Sequence, residues 1–298
     1  MQKTNTSAIK QAHTEPKPSL LTSSTLELVN WSPLSSLDDK VLALQTTRLF
    51  PHFISKPALN KVNHELINEP SFGRFNLGLH VGDNENYVTH NREHLNYLIT
   101  NELEDSSHNV TLPNLLAIQW LNQVHGNIVV EIEKASIQAI TADASITRKK
   151  GIALAIMTAD CLPILLSNSE GTEIAAIHGG WRPLAKNIIE LCIQKMHSDP
   201  LDIVAWLGPC IGPEAFEVGN EVKAAFLKQN ILFKTAFVKK DNGKYLANLH
   251  EIAKIQLSAL GVNCILTLDE CTYLRTDKYY SYRKDKLTGR MASIICLR

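Results

Sequence analysis

The chain has 298 residues, 44% of them apolar and 20% charged, which is enough to bury a sizeable core in one or two domains. Its 30 basic and 30 acidic residues cancel. That excludes the global positive field that holds DNA, RNA or an anionic membrane surface, and leaves a small molecule as the expected partner.

Residues 1–27, rich in Thr, Ser, Lys and Pro, lack the apolar stretch of a secretory signal and read as a disordered or extended tail. Six cysteines without a CxxC or a regular pairing pattern do not form a secreted disulfide framework, so reduced thiols in a cytoplasmic setting are expected. From residue 28 to 298 no linker separates two cores, and a single domain is expected. VLALQTT (41–47) reads as a strand and 85–99 as a helix, with Tyr87, Leu95, Leu98 and Ile99 broadly on one face. Segments 117–122 and 127–132 read as strands around QVHG (123–126). They place His125 at the tight end of a hairpin or at a strand edge.

The runs 151–158, 162–167 and 172–179 are continuously apolar, as in strands covered on both faces. The most apolar stretch, 151–166, is interrupted by Asp160 and Pro163 and falls short of the ~20 residues that cross a bilayer, so no membrane span is expected. A helical stripe covers 184–196, with Pro183 suited to the first turn. Next come a strand at 203–208, a turn at GPCIGP (208–213), helices near 219–229 and 245–260, and strands near 263–268, 279–283 and 290–297. The alternation defines an α/β or α+β chain.

Three residues in unusual surroundings carry the chemistry: His125 in QVHG, Cys161 in MTADCLPILL and His178 in AAIHGGWRP. Two imidazoles and a thiolate suit Zn²⁺, and a set of three leaves the fourth tetrahedral position for water or substrate. The alternatives are that each is an ordinary packed side chain, or that Cys161 is a nucleophile with His178 as its base. Gly179, Gly180, Trp181 and Arg182 precede a helix, where exposed N–H groups and a bidentate Arg182 could hold phosphate; the plain alternative is a tight turn with a surface arginine. Asp143 and Asp160 could orient an imidazole, act as a base or cap a turn. Asp160 adjoins Cys161 and in extended backbone points away from the sulfur, so Asp143 is favoured to face the cleft.

The segments FNLGLHVGDN (75–84), LNQVHG (121–126), ADAS (142–145), MTADCLPILL (157–166), AAIHGGWR (175–182), WLGPCIGPEAFEVG (206–219) and YYSYRKDKLTGRMASII (279–295) together resemble the YfiH family, also called the polyphenol oxidase or laccase-domain family. The resemblance implies mixed β-sheets layered between helices (α/β/β/α) and zinc on His125, Cys161 and His178. It implies phosphorolysis of adenosine, inosine, guanosine and methylthioadenosine with inorganic phosphate, together with adenosine deamination by metal-activated water. Arg48 and Arg182 would then meet phosphate or ribose, Asn76 would fix the substrate loop, His80 would line the pocket, and Asp143 would face the substrate. Older naming of the family implies copper-dependent phenol oxidation instead, and amide hydrolysis on cell-wall precursors is a further implied activity. A closed structural zinc site would need His80 or Cys210 as fourth ligand. The chain departs from the family pattern after Arg48, where an insertion of about a dozen residues replaces a Gly-rich segment, and at Pro183, which removes a backbone N–H beside Arg182.

Overall fold

Strands that are apolar on both faces must be covered on both faces, and here each covering layer is itself a structured element. The computed structural model describes residues 26–32, 34–49, 70–106 and 116–298. The strands run β1 (Leu26–Leu28), β2 (Val41–Thr46), β3 (Ala117–Gln119), β4 (Leu121–Asn122), β5 (Val129–Glu131), β6 (Ile140–Thr141), β7 (Ala144–Thr147) and β8 (Ile152–Thr158). They continue with β9 (Leu162–Asn168), β10 (Ile174–Gly179), β11 (Ile203–Leu207), β12 (Glu217–Val218), β13 (Phe237–Lys239), β14 (Tyr245–Ala247), β15 (Cys264–Thr267) and β16 (Met291–Leu297). The helices are α1 (Glu85–Ser106), α2 (Trp181–Ala185), α3 (Ile188–Lys195), α4 (Asn220–Leu227) and α5 (Leu249–Ala259).

Two large mixed sheets dominate, one in the order β1-β2-β16-β8-β3 and the other β15-β11-β9-β10-β7-β5. Alternation along β2 shows the layering directly. Leu42 and Leu44 pack with Leu95, Leu98 and Ile99 of α1, while Val41 and Ala43 pack with Leu165, Ile174, Ala176 and Trp206 of the second sheet. On β9, Leu162, Ile164 and Leu166 turn the other way, toward Ile189, Cys192 and Ile193 of α3 and Ile252 and Leu257 of α5. The order is helix, sheet, sheet, helices, which is the expected α/β/β/α arrangement.

Several local expectations differ from the structure. The 184–196 stripe is two helices, because Asn187 takes a left-handed conformation at φ 59° between α2 and α3, a geometry asparagine tolerates. The 245–260 segment begins as β14, and only after Asn248, whose side chain accepts from Glu251 N–H, does α5 start. Residues 279–283 form no strand: Tyr279 and Tyr280 are buried in turns, with their hydroxyls bound to Glu270 and to the Phe72 carbonyl. The segments flanking QVHG do not pair as a hairpin. β3 joins the first sheet and β5 is the edge strand of the second, so QVHG carries the chain across from one sheet to the other and His125 lies in the bend between β4 and β5. Strand β7 lies in a stretch whose short alternation gave no strand signal. Of the expected tail, Leu26 and Glu27 open β1 and residues 1–25 lie outside the described residues, as does most of the 49–75 insertion. No described helix is long and apolar enough to cross a membrane.

The seam between the sheets should be the most sensitive part of the core. Leu165→Ala, at a side chain with no solvent exposure between the sheets, is expected to cost about 2–5 kcal/mol in denaturant unfolding. Leu201→Ala, at a side chain 68% exposed, should stay within about 0.5 kcal/mol.

Candidate metal centre and active site

The site follows from sheet register. In the antiparallel β7–β10 ladder Ala144 faces Ile177, so the next pair outward is Asp143 and His178. Their backbones meet through His178 N–H to the Asp143 carbonyl at 2.8 Å, and their side chains through His178 Nδ1 and Asp143 Oδ1 at 2.8 Å. In the β9–β10 ladder Gly179 faces Leu162, which brings Gly180 beside Cys161.

His125 and Cys161 both lie where the chain crosses between sheets, His125 between β4 and β5 and Cys161 between β8 and β9. Each crossing contains a non-glycine residue in the left-handed region, His125 at φ 57° and Asp160 at φ 96°. Such residues are costly and persist where surrounding bonds over-determine them. The His125 and Gly126 N–H groups donate to Asp143 Oδ1 and Oδ2 at 3.0 and 2.6 Å. Asp160 accepts from Thr272 Oγ1 at 2.7 Å and Arg283 N–H at 2.6 Å, and its carbonyl accepts from Ile211 N–H at 2.9 Å. Gln123 adds an amide clamp, donating to the Met157 carbonyl at 2.9 Å and accepting from the Met157 N–H at 2.8 Å.

The result is a convergent donor set. One nitrogen each from His125 and His178 and the sulfur of Cys161 lie within 4.8 Å of one another. Cys161 Sγ is 3.9 Å from His125 Nε2, and the two imidazole rings meet edge to face with centroids 4.7 Å apart. Ligands of one tetrahedral ion stand roughly 3.3–3.6 Å apart, so a modest contraction would close these three on a metal. His125 is exposed, Cys161 half-buried and His178 buried, so the open side faces solvent. Gly180 makes room: a Cβ there would stand 3.1 Å from Cys161 Sγ and 3.4 Å from both His125 Cδ2 and His178 Nε2.

Electrostatics prepare the same three groups. Burial opposes ionisation of Asp143, but its bonds from His178, Gly126 and His125 outweigh it and hold the carboxyl below its ordinary range. As a carboxylate it accepts the His178 Nδ1 proton and leaves Nε2 as the free ring nitrogen. Burial would raise the Cys161 thiol, yet the His178 charge and bonds from both imidazoles bring it down to about 6. Burial likewise disfavours charge on His178, and the Cys161 thiolate and Asp143 reverse that, raising it to about 9. Their mutual attraction favours the thiolate–imidazolium form of the pair.

The other expected site residues distribute unevenly. Asp143 has no solvent exposure and its oxygens are taken by three protein donors, the His178 imidazole and the His125 and Gly126 N–H groups. Asn76, 1% exposed, does fix its loop: Oδ1 accepts from Gly78 and Arg290 N–H, and Nδ2 donates to Gly78 O and Asp83. That uses the whole amide internally. Arg48 donates to the Thr276 carbonyl at 2.7 Å and stacks on Tyr280, directed into the C-terminal turns. Arg182 is exposed, its guanidinium carbon 4.6 Å from the Trp181 ring centre. His80 is exposed, and Cys210 is buried against His250 Nε2 at 3.7 Å; neither belongs to the donor set. Among the described residues the group therefore has three donors, and a closed four-ligand structural site is not formed. Gln123, Thr272, Arg92 and Arg290 were not singled out from sequence, and Gly180 was read only as part of an anion-binding turn, not as space beside the donor set. Only adjacency to His125 and His178 could have marked Gln123 and Gly180.

Comparison with known proteins identifies the family. Residues 62–298 match the family model described as multi-copper polyphenol oxidoreductase laccase. A purine nucleoside phosphorylase, YfiH, of Escherichia coli (strain K12) is 42% identical over 228 residues, 76% of this chain and 88% of that protein. A purine nucleoside phosphorylase of Pseudomonas aeruginosa is 39% identical over 233 residues, covering 78% and 89%. Among solved structures, a Neisseria meningitidis protein superposes with a TM-score of 0.73 at 36% identity, over 86% of this chain and 94% of that one. A hypothetical protein YfiH of Bacillus licheniformis superposes at 0.74 and 23% identity, over 93% and 98%, which shows the shared fold.

Two substitutions should separate orientation from space. Asp143→Asn, which alters the partner of His178 Nδ1, is expected to weaken metal affinity by about 10–100-fold in a chelator competition. Gly180→Ala should block metal uptake while far-ultraviolet circular dichroism stays native; full metal loading of that variant would refute the geometry.

Proposed function

This chain belongs to the multi-copper polyphenol oxidoreductase laccase family, and from that premise we propose that it is a zinc-dependent purine nucleoside phosphorylase that also deaminates adenosine. The observation that carries the reading is the open His125, Cys161 and His178 set, braced from behind by Asp143. The names of the Escherichia coli and Pseudomonas aeruginosa relatives, aligned over three quarters of the chain, support the substrate class. Two nitrogens and a thiolate match the preference of Zn²⁺. Zinc held there would supply Lewis acidity at the mouth of the cleft.

The chain's own residues define the rest. Asp143 keeps a proton on His178 Nδ1, so Nε2 points forward. Cys161 contributes negative charge, and exposed His125 forms the solvent-side wall. In phosphorolysis an oxygen of inorganic phosphate bonds to C1′ of the nucleoside as the C1′–N9 bond breaks. The purine leaves with the bonding pair and gains a proton, and ribose 1-phosphate remains. In deamination water adds at C6 of adenosine and ammonia leaves. Laccase-like oxidation fits less well: multicopper chemistry needs several clustered sites, and the described residues contain one three-donor group.

A second reading rests on the Cys161–His178 pair, whose thiolate and imidazolium character suits attack on an amide with Cys161 as nucleophile. Alkylation distinguishes the two. A metal ligand should be protected until zinc is chelated, whereas a nucleophile should be trapped in the metal-loaded protein.

Purified zinc-loaded protein given inosine or adenosine, with and without phosphate, is expected to release ribose 1-phosphate only with phosphate, and ammonia from adenosine. Absence of both products would overturn the proposal. Cys161→Ala and His125→Ala should lose zinc and turnover together. Zinc must also displace protons from its ligands. With Cys161 near 6 and His178 near 9, one proton is displaced between those values and two below the lower one. Apparent affinity should then fall about tenfold per pH unit from roughly 9 to 6, and more steeply below. Chelator competition across that range measures the slope.

A further inference from the structure

Two guanidinium groups bracket the end of β8, and neither meets a carboxylate. The β8–β16 ladder pairs Thr158 with Met291, which sets Arg290 opposite Ala159, two residues before Cys161. Arg290 Nη1 donates to the Thr288 and Gly289 carbonyls at 3.0 and 2.9 Å. Its Nε and Nη2, the edge that can grip an oxyanion with two bonds, have no acceptor among the described residues. The stem is held firmly. The Arg290 N–H donates to Asn76 Oδ1 at 2.7 Å, and a Cβ placed on Gly78 would stand 2.8 Å from Arg290 Cγ.

Arg92 approaches from the other side of β8. Its Nε donates to the Leu77 carbonyl at 2.9 Å, its Nη2 lies 3.5 Å from Met157 Sδ, and its guanidinium carbon sits 4.0 Å from the Trp120 ring centre. Nη1 has no acceptor among the described residues. Met157 is the same residue that Gln123 clamps, two positions before His125. His80 lies within the electrostatic reach of both arginines.

Both arginines are half-buried, and neither takes part in an ion pair among the described residues. Burial alone brings Arg92 down to about 10, and burial is also the largest influence on Arg290, where it outweighs the charges of Cys161 and Asp160. A cation withdrawn from water is expensive without a counter-charge. The nearby carboxylate of Asp160 is occupied by Thr272 and the Arg283 N–H. The unused N–H donors of the two guanidinium groups are open to an external anion.

We propose that the Nε–Nη2 edge of Arg290, with Nη1 of Arg92 and His80 alongside, holds inorganic phosphate next to the His125, Cys161 and His178 centre. The identity of the anion rests on the phosphorylase reading; the existence of the anion site does not. The assignment moves phosphate away from Arg182, which stacks on Trp181, and from Arg48, which is bound to Thr276.

The test measures phosphate binding directly, by calorimetric titration of the zinc-loaded full chain with inorganic phosphate, beside steady-state kinetics with inosine. Arg290→Gln should weaken phosphate binding and raise the KM for phosphate by roughly 10–100-fold, the value of a charge-assisted pair. Zinc content and the KM for inosine should stay within about twofold. Arg290→Lys, which keeps charge without the fork, should recover part of the loss, and Arg92→Gln should give a smaller loss in the same direction. Should Arg290→Gln lose its fold, the lysine variant and Arg92→Gln carry the comparison. Wild-type phosphate affinity in a folded Arg290→Gln protein overturns the assignment, as does loss of phosphate binding in Arg182→Ala but not in Arg290→Gln. Phosphate binding that depends on Arg290 in a protein without nucleoside phosphorolysis would uphold the anion site while the phosphorylase reading falls.

Discussion

One buried carboxylate organises this molecule's chemistry. Asp143 has no solvent exposure, and an isolated charge in that position would cost several kcal/mol. It is tolerated because three donors converge on it: the His178 imidazole and the backbone N–H groups of His125 and Gly126. Through those bonds a single side chain ties β7 to β10 and both to the QVHG crossing. Two of the three candidate metal donors are thus positioned by one buried residue, and the ring nitrogen that faces forward is chosen by the one that faces back.

The sandwich supplies the rest of the constraint. A chain that crosses between two stacked sheets must leave regular strand geometry, and the two crossings that meet beside the end of β10 do so with left-handed residues, His125 and Asp160. The strain is held by long-range bonds. Asp143 fixes the first crossing; Thr272, Arg283 and Ile211 fix the second. The 270–290 segment therefore behaves as part of the site although it contributes none of the three donors. Such sites depend on remote packing for placement of a few tenths of an ångström, since three ligands must converge before an ion can bind them all.

Charge around the centre is asymmetric. The inner side carries Asp143 and Cys161, whereas the flank along β8 carries Arg92 and Arg290, and partial burial together with both arginines holds His80 below its ordinary range. A net charge of zero for the whole chain conceals this local separation. The two sides thus favour charges of opposite sign, and the flat overall field leaves steering to these local groups.

The sequence by itself determined the features that local pattern and donor chemistry encode. Continuous apolar runs marked β8, β9 and β10 as doubly covered strands, and the rarity of His, Cys and His in short Gly- and Asp-bearing turns marked the donor set. Family resemblance supplied the layering, which periodicity does not contain. Short strands such as β7, the break at Asn187 and the absence of a strand at 279–283 escaped, because each is decided by packing partners and not by its own alternation. Only the tertiary structure decided that QVHG crosses between sheets instead of closing a hairpin, that Asp143 pairs with His178, and that Arg290 stands opposite Ala159 while Arg182 lies against Trp181. Those are matters of register between segments far apart in the chain, and register is a property of the folded sheet, with no trace in the spacing of any single segment.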